Sequence, residues 1–382
     1  MAATRPNSGK LRTLLLVRNA VSHDARVLRA ARVAAQALGG ETLIVGVATA
    51  TAPAGETRVE GVRVLRLKAR GRVPTVRLRR ALSGVSFAWQ ALALARRERP
   101  TLVHANDWNT MWCGIAIKLT CRARLVYDSH ELWADRNGRW EWRPWLLASE
   151  ALFVRVADAV LTASPGYADA LARRYRVARP TIVRNIPDVP SAAACEPRRP
   201  PCVVYVGGLM PGRGLEQTID ALALTESIRL RMVGPGAASY RTSLVQRAQA
   251  AGVADRVQLE PPVPPAYVPA LLGSAMAGLC LIQPLCRSYE LTLPNKLFEY
   301  AAAGVPVLAS DLPVIAAVVR EHGLGEVVPA NDPPEIAAGL RRLSEPARWS
   351  AAASHTRSFA QANDWRGESG TLAGVYTKAA RN

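Results

Sequence analysis

Apolar and polar positions along this chain follow one pattern twice. The first instance begins at Leu11, where an apolar run to Val17 enters a polar loop, Arg18 to Asp24. Apolar residues then recur at Val27, Leu28, Ala31, Val33, Ala34 and Leu38, the spacing of one helix face, and Gly39-Gly40 ends the pattern. The run Thr42 to Val47 follows as a second strand. Strand, helix and strand in that order predict a right-handed βαβ unit. The same pattern restarts near Cys202. Val203 to Val206 reads as a strand, Gly207, Gly208, Gly212 and Gly214 as a loop, Leu215 to Leu224 as a helix, and Ile228 to Val233 as the next strand before Gly234-Pro235-Gly236. Unbroken apolar strands mean that helices cover both faces of the sheet.

The stretch Asn185 to Pro201 carries five prolines and reads as a linker between two halves. The predicted class is α/β, with two Rossmann-like, doubly wound parallel-sheet domains facing a central cleft. We expect one such domain over 1–191 and the other over 192–360. Residues 361–382 are expected to form a helix crossing back to the first domain. In such sheets ligands bind beyond the carboxyl ends of the strands.

Composition narrows the classes. The chain has 382 residues, 49% hydrophobic and 21% charged, as a folded globular protein does. Its six cysteines form no Cys-x-x-Cys pair and have no histidine cluster beside them, so reduced thiols are expected rather than a zinc site or a disulfide framework. The apolar run after Lys10 is too short for a signal-peptide core or a membrane span. A cytoplasmic protein is expected, peripheral at most on the inner face of the cell membrane. The formal net charge of +19 admits four readings: a compositional bias toward Arg, or binding of nucleic acid, an anionic membrane or phosphorylated substrates. No nucleic-acid-binding motif accompanies the dispersed charge, so no nucleic-acid partner is expected.

The strongest constellation for chemistry is Leu293-Pro294-Asn295-Lys296-Leu297-Phe298-Glu299-Tyr300, then small residues, Gly304 and the strand from Val305. Lys296 and Glu299 share a helix face. The free N–H groups just after Pro294 favour an anion. On spacing alone this is either an exposed ion pair or a phosphate-and-ribose site. The loop Gly207 to Gly214, containing Arg213, can bring backbone N–H groups to a phosphate, as can Gly234-Pro235-Gly236; both also read as plain turns. In the first half, two strand ends carry polar clusters, His104-Ala105-Asn106-Asp107 and Asp128-Ser129-His130-Glu131. Asp24 reads as a helix N-cap. The segment Trp133 to Trp145 holds four Trp and three Arg, and Arg66 to Arg80 is Arg-rich. Such mixtures suit a membrane interface or a surface loop packed by its tryptophans.

The Pro-Asn-Lys-Leu-Phe-Glu-Tyr segment resembles the donor-site motif of retaining GT-B glycosyltransferases of family four. The resemblance implies a GT-B fold and an enzyme of hexosyltransferase type, moving a sugar from a nucleotide-sugar donor to an acceptor with retention. It implies that Glu299 binds the donor ribose, with Asn295 beside it, and that Arg213 and Lys296 neutralise the diphosphate with Gly207, Gly208, Gly234 and Gly236 as backbone walls. His130 would contact the transferred sugar. Family members carry an arginine where this chain has Gly208, and in one variant a glutamate where it has Leu291, so Glu290 is the nearest candidate for the sugar. The acceptor side would be lined by Asp24, Arg26, His104, Asn106 and Asp107. The nucleotide sugar is a substrate, and no cofactor is implied. No Asp-x-Asp pair is present, which argues for cations and helix dipoles in place of a metal. The expected setting is bacterial polysaccharide or glycolipid assembly, with a sugar or lipid-linked acceptor and an anionic membrane surface as candidate partners. Two alternatives share the architecture: a catalytically degenerate binding protein and a nucleotide-sugar 2-epimerase.

Overall fold

The computed structural model describes residues 11–22, 24–68, 76–138, 142–188, 200–264 and 267–381. The expected domain boundary near residue 192 lies outside these residues. The chain divides into two compact units, 1–183 with 366–382, and 184–365.

The first unit runs β1 (Leu11–Leu16), α1 (Ala25–Leu38), β2 (Glu41–Val47), β3 (Gly55–Val59), β4 (Val62–Leu67), α2 (Val76–Glu98), β5 (Leu102–Asn106), α3 (Trp108–Cys121), β6 (Arg124–Ser129), α4 (Arg143–Val156), β7 (Ala159–Thr162), α5 (Pro165–Tyr175) and β8 (Thr181–Ile182). The strand order is β3-β4-β2-β1-β5-β6-β7-β8, parallel except for β3, which pairs antiparallel with β4. The order reverses at β1, whose neighbours are β2 and β5. Leu14, Leu15 and Leu16 on this central strand are fully buried, as a strand covered on both faces must be.

The second unit runs β9 (Cys202–Val206), α6 (Leu215–Ala223), β10 (Arg229–Val233), α7 (Ala238–Ala250), β11 (Val257–Glu260), α8 (Val268–Leu272), β12 (Ala277–Cys280), α9 (Arg287–Glu290), α10 (Asn295–Ala302), β13 (Val307–Ser310), α11 (Pro313–His322), β14 (Gly325–Val328), α12 (Pro333–Ser344) and α13 (Pro346–Ala362). Its sheet is wholly parallel, in the order β11-β10-β9-β12-β13-β14. One apolar cluster packs α6, α7 and α12 against the sheet, and a second packs α8, α10, α11 and α13. The order reverses between β9 and β12, so the loops after these strands form the crevice of the sheet.

The last helix, α14 (Trp365–Arg381), falls almost wholly in the first unit and buries Leu372, Tyr376 and Ala379. The five described cysteines are free thiols. Among the described residues no helix is long and apolar enough to cross a membrane.

Candidate functional site

In the second unit, the loops after β9 and β10 are zipped together by backbone. Gly207 N–H donates to Val233 O (2.9 Å) and Leu209 N–H to Pro235 O (2.7 Å). The approach is so close that a Cβ on Gly234, whose φ is +151°, would lie 2.0 Å from Gly207 O. Only glycine fits there. Lys296, in the first turn of α10, lies against this zipped pair: its Nζ would be 2.5 Å from a Cβ on Gly207 and stands 5.2 Å from the Tyr205 ring centre. Tyr205 donates its hydroxyl to Gly208 O (2.8 Å), holding the loop at the position where a side-chain cation is missing.

Arg213 stacks 4.8 Å over Tyr289. Burial pulls the Lys296 ammonium below its ordinary pKa; Glu299 opposes the shift and Arg213 adds to it. Lys296, Arg213 and Glu299 therefore act on one region in which the two cations outnumber the one carboxylate, which suits a phosphate. Helix α10 begins after Pro294 with no side-chain cap, and Leu297 N–H donates to Pro294 O (3.2 Å), so its positive end opens at Asn295 and Lys296. Asn295 Nδ2 donates to Glu299 Oε1 (2.9 Å) and fixes that carboxylate from within the same helix. Glu290, by contrast, is paired with Arg287 at 2.6 Å on α9. Tyr300 completes the frame: its ring fills the space over Gly278, and its hydroxyl donates to Leu279 O and accepts from Val206 N–H.

In the first unit, the polar strand ends converge on one carboxylate. Asp128, at the end of β6, is 2% exposed. Arg26 grips it with two bonds, Nη2 to Oδ1 (2.8 Å) and Nε to Oδ2 (3.0 Å), and uses Nη1 to reach Val183 O (2.6 Å). His130 Nε2 lies 3.1 Å from Asp128 Oδ2, and His104 Nε2 lies 3.4 Å from the same oxygen. Burial alone would raise the Asp128 pKa. Arg26 and the two imidazoles outweigh it, and the carboxyl sits well below its ordinary range. His130 is 21% exposed at its side chain and also has Asp107 Oδ2 at 3.7 Å from Nδ1. Burial opposes its charge, but Asp128 and Asp107 prevail and lift its pKa to about 9. His104, fully enclosed, is pushed the other way by burial. The pair is thus split: one imidazolium at the surface and one neutral ring beneath.

Asp107 adopts φ 64°, a left-handed conformation unusual for a residue other than glycine. Its N–H donates to Asp128 O (2.9 Å) and its Oδ1 accepts from His130 N–H (3.2 Å), so the ends of β5 and β6 are tied together around His130.

Three residues expected to line the acceptor side lie elsewhere. Arg26, His104 and Asn106 are buried, at 7%, 0% and 1% exposure. Arg26 faces inward because α1 places it over Asp128, and Asn106 donates to Leu16 O (3.0 Å). Each is held by a partner inside the first unit, Arg26 by Asp128, His104 by Tyr376 and Asn106 by Leu16 O. Asp24 is the N-cap of α1, its Oδ1 accepting from Val27 N–H, and its Oδ2 takes Asn19 Nδ2 (2.7 Å). Asp107 keeps a partly exposed face. The Trp/Arg segment divides: Trp133 is buried and stacked on Trp108, whereas Trp142 and Trp145 are exposed. Trp140, Arg139 and much of the Arg66–Arg80 run lie outside the described residues. Sequence reasoning did not single out Asp128, the hub, although it stands two residues before His130. Nor did it find Tyr205, Tyr289 or Tyr376, for which periodicity gives no signal.

Comparison with known proteins bears on both halves. Residues 25–189 match Glycosyltransferase Family 4, and residues 200–345 match Glycosyl transferases group 1. The chain is a glycosyltransferase. This glycosyltransferase is 27% identical over 310 residues to a D-inositol 3-phosphate glycosyltransferase of Thermobispora bispora, covering 74% of the chain and 71% of the relative. Its fold is similar to sucrose-phosphate synthase from Thermosynechococcus elongatus (TM-score 0.81, 19% identity, 96% and 98% of the two chains). It is also similar to Anabaena HepE in complex with UDP-glucose (TM-score 0.72, 16% identity, 95% and 98%). The two parallel-sheet Rossmann-like units of the glycosyltransferase are those of the GT-B class.

Proposed function

We propose that this glycosyltransferase uses a nucleoside-diphosphate sugar and transfers the glycosyl group with retention and without a metal. The observation that carries the reading is Lys296 Nζ set against the Gly207–Gly234 backbone zipper, with Arg213 nearby and the uncapped start of α10 beside it. A diphosphate leaving there would meet two cations and a row of N–H groups, which stabilise the developing charge. Glu299, held by Asn295, is assigned to the ribose hydroxyls, and His130 to a hydroxyl of the transferred sugar. The ligand in the HepE complex, UDP-glucose, is of the same chemical class. Thermal shift against a panel of nucleoside diphosphates tests the donor site. One base is expected to raise the melting temperature in the wild type and not in Lys296→Ala or Glu299→Ala. A response to none would leave a binding protein without a donor. Proton NMR of the product reads the anomeric configuration, and activity that survives EDTA checks the metal-free reading.

A membrane-side acceptor, in polysaccharide or glycolipid assembly, is supported by the surface of α3 and α4. Trp112 and Leu119 are exposed seven residues apart on α3, as are Trp145 and Leu152 on α4. Trp112 and Trp145 stack at 5.8 Å, joining the two stripes into one apolar patch flanked by exposed Arg143 and Arg155. Aromatic and basic residues together suit an anionic bilayer surface. Sedimentation with anionic vesicles at low salt is the check; absence of the protein from the pellet removes this part of the reading.

A further inference from the structure

We infer that Tyr376 and His104 are positioning residues for His130: the Tyr376 hydroxyl donates to Nδ1 of the His104 ring, whose tautomer Asp128 sets, and that ring in turn holds the Asp128 carboxylate for His130. The catalytic consequence rests on the assignment of His130 to the transferred sugar; the tautomer does not.

A buried chain of contacts runs through the first unit. Tyr376, on α14, is fully buried, and its hydroxyl is 2.7 Å from His104 Nδ1. The rings meet edge on, 5.7 Å between centres. His104 Nε2 faces Asp128 Oδ2 at 3.4 Å. A neutral imidazole carries one proton, on one nitrogen. Beside an ionised carboxylate that nitrogen is Nε2, because a lone pair aimed at a carboxylate oxygen is repelled. Nδ1 is then an acceptor, and the Tyr376 hydroxyl must donate to it. The direction of both contacts is fixed by Asp128.

Asp128 Oδ2 is therefore shared by Arg26 Nε, His104 Nε2 and His130 Nε2. The groups facing the two rings are Asp128, Arg26 and, for His130, Asp107; Tyr376 faces His104 alone. Two imidazoles compete for the excess proton beside one carboxylate, so their titrations are linked. A hydrogen bond donated to the Nδ1 lone pair stabilises the neutral form of His104. Burial and this hydrogen bond together keep the proton out of the interior ring and leave it on His130, the one that reaches solvent. The contact joins residues 272 positions apart and gives α14 a part in setting the charge of the site.

The test is NMR on the full-length protein with 15N-labelled histidine; five histidines make assignment by substitution practical. Two-bond nitrogen–proton correlations in the wild type are expected to show His104 as the Nε2–H tautomer, neutral across the range in which His130 titrates. In Tyr376→Phe, His104 gains proton affinity and the His130 midpoint falls, by about half a unit or more. The same variant should lower kcat about tenfold with donor KM unchanged. His104→Gln, whose amide still donates toward Asp128, should keep kcat within about threefold, and His104→Asn, which cannot reach it, should not. An Nδ1–H tautomer in the wild type, a His130 midpoint that is unchanged or raised in Tyr376→Phe, or the reverse order of the Gln and Asn variants overturns the inference. If the tautomer and midpoint behave as stated while kcat does not move, the network stands and the assignment of His130 to the sugar falls. Should Tyr376→Phe not fold, the wild-type tautomer and the order of the two His104 variants decide the matter.

Discussion

Arg26 Nη2 stands 2.8 Å from Asp128 Oδ1 with both side chains buried, 102 residues apart in sequence. Removing either partner leaves the other charge dry. Arg26→Met is expected to destabilise the first unit by about 3–5 kcal/mol. Arg26→Lys should recover little of this, because an ammonium cannot fork onto a carboxylate and reach Val183 O at once. The Asp128 pKa is depressed in the fold, so the pair's contribution is present above the ordinary carboxylate range and is lost as pH falls through the depressed value. Hydrogen exchange of the β6 amides, compared at neutral and acid pH, checks both the loss and its narrowing in acid.

A second expectation concerns the charge on His130. Its pKa is raised to about 9, so the imidazolium persists through neutrality. Stability from this group is complete below the ordinary histidine pKa and disappears as pH rises through 9, with a ceiling of about 3 kcal/mol. Activity that depends on the charged ring should hold at pH 7–8 and decline near 9, and His130→Ala should lower kcat about 100-fold. A rate profile with its alkaline limb near 6.5 would contradict the charged form.

Glu150 carries a different signature. It is fully buried and accepts hydrogen bonds from Tyr127 (3.0 Å) and Tyr175 (2.9 Å). Burial outweighs those bonds and raises its pKa to about 7. The folded state therefore binds the extra proton, and Glu150 erodes stability as pH rises from the ordinary carboxylate range to 7. Glu150→Gln, which keeps one acceptor and loses the charge, should flatten that decline and leave the protein more stable at pH 8. Melting temperatures across pH 5 to 8 give the answer.

The backbone zipper makes a sharper claim. Gly234→Ala places a methyl 2.0 Å from Gly207 O at φ +151°. Neither backbone can yield without breaking the bond from Gly207 N–H to Val233 O. We expect strain of about 1–3 kcal/mol and loss of the nucleotide-dependent thermal shift. Gly370→Ala, on α14 with open space around it, should be silent in both assays.

Trp112 and Trp145 lie in register on adjacent helices. Their joint replacement by Ser should remove vesicle binding while leaving turnover of a soluble acceptor within about twofold. Raising the salt should weaken vesicle binding by the wild type, because ions screen the flanking arginines.

Much of this organisation can be read in the residues before any coordinates. The apolar runs at Leu11 and Val203 became the central strands of their sheets because a parallel strand buried on both faces favours a nearly unbroken apolar run. The helix after Pro294 was legible for the same local reason: Pro, Asn and Lys mark its start and Gly304 its end. Arg26 was misplaced because a charged residue in the first turn after a polar loop reads as exposed; only the distant Asp128 turns it inward. Asp24, read both as a cap and as an acceptor contact, is a cap, the reading its local sequence favours. Tyr376 could not be found at all. Its partner is on the far side of the sequence, and a tyrosine on a weakly periodic helix carries no mark of the imidazole it will meet.

The helix that carries Tyr376 follows the whole of the second unit in sequence yet belongs to the first. During synthesis, the first unit must therefore wait with an open slot over His104 while some 180 residues of another unit emerge and fold. A fragment ending at Val183 would leave Nδ1 of His104 without its donor. The N-terminal half of this enzyme is consequently not a free-standing module to be swapped between relatives. A chimaera that exchanges it must exchange residues 366–381 as well, or it will join an imidazole from one protein to a phenol from another.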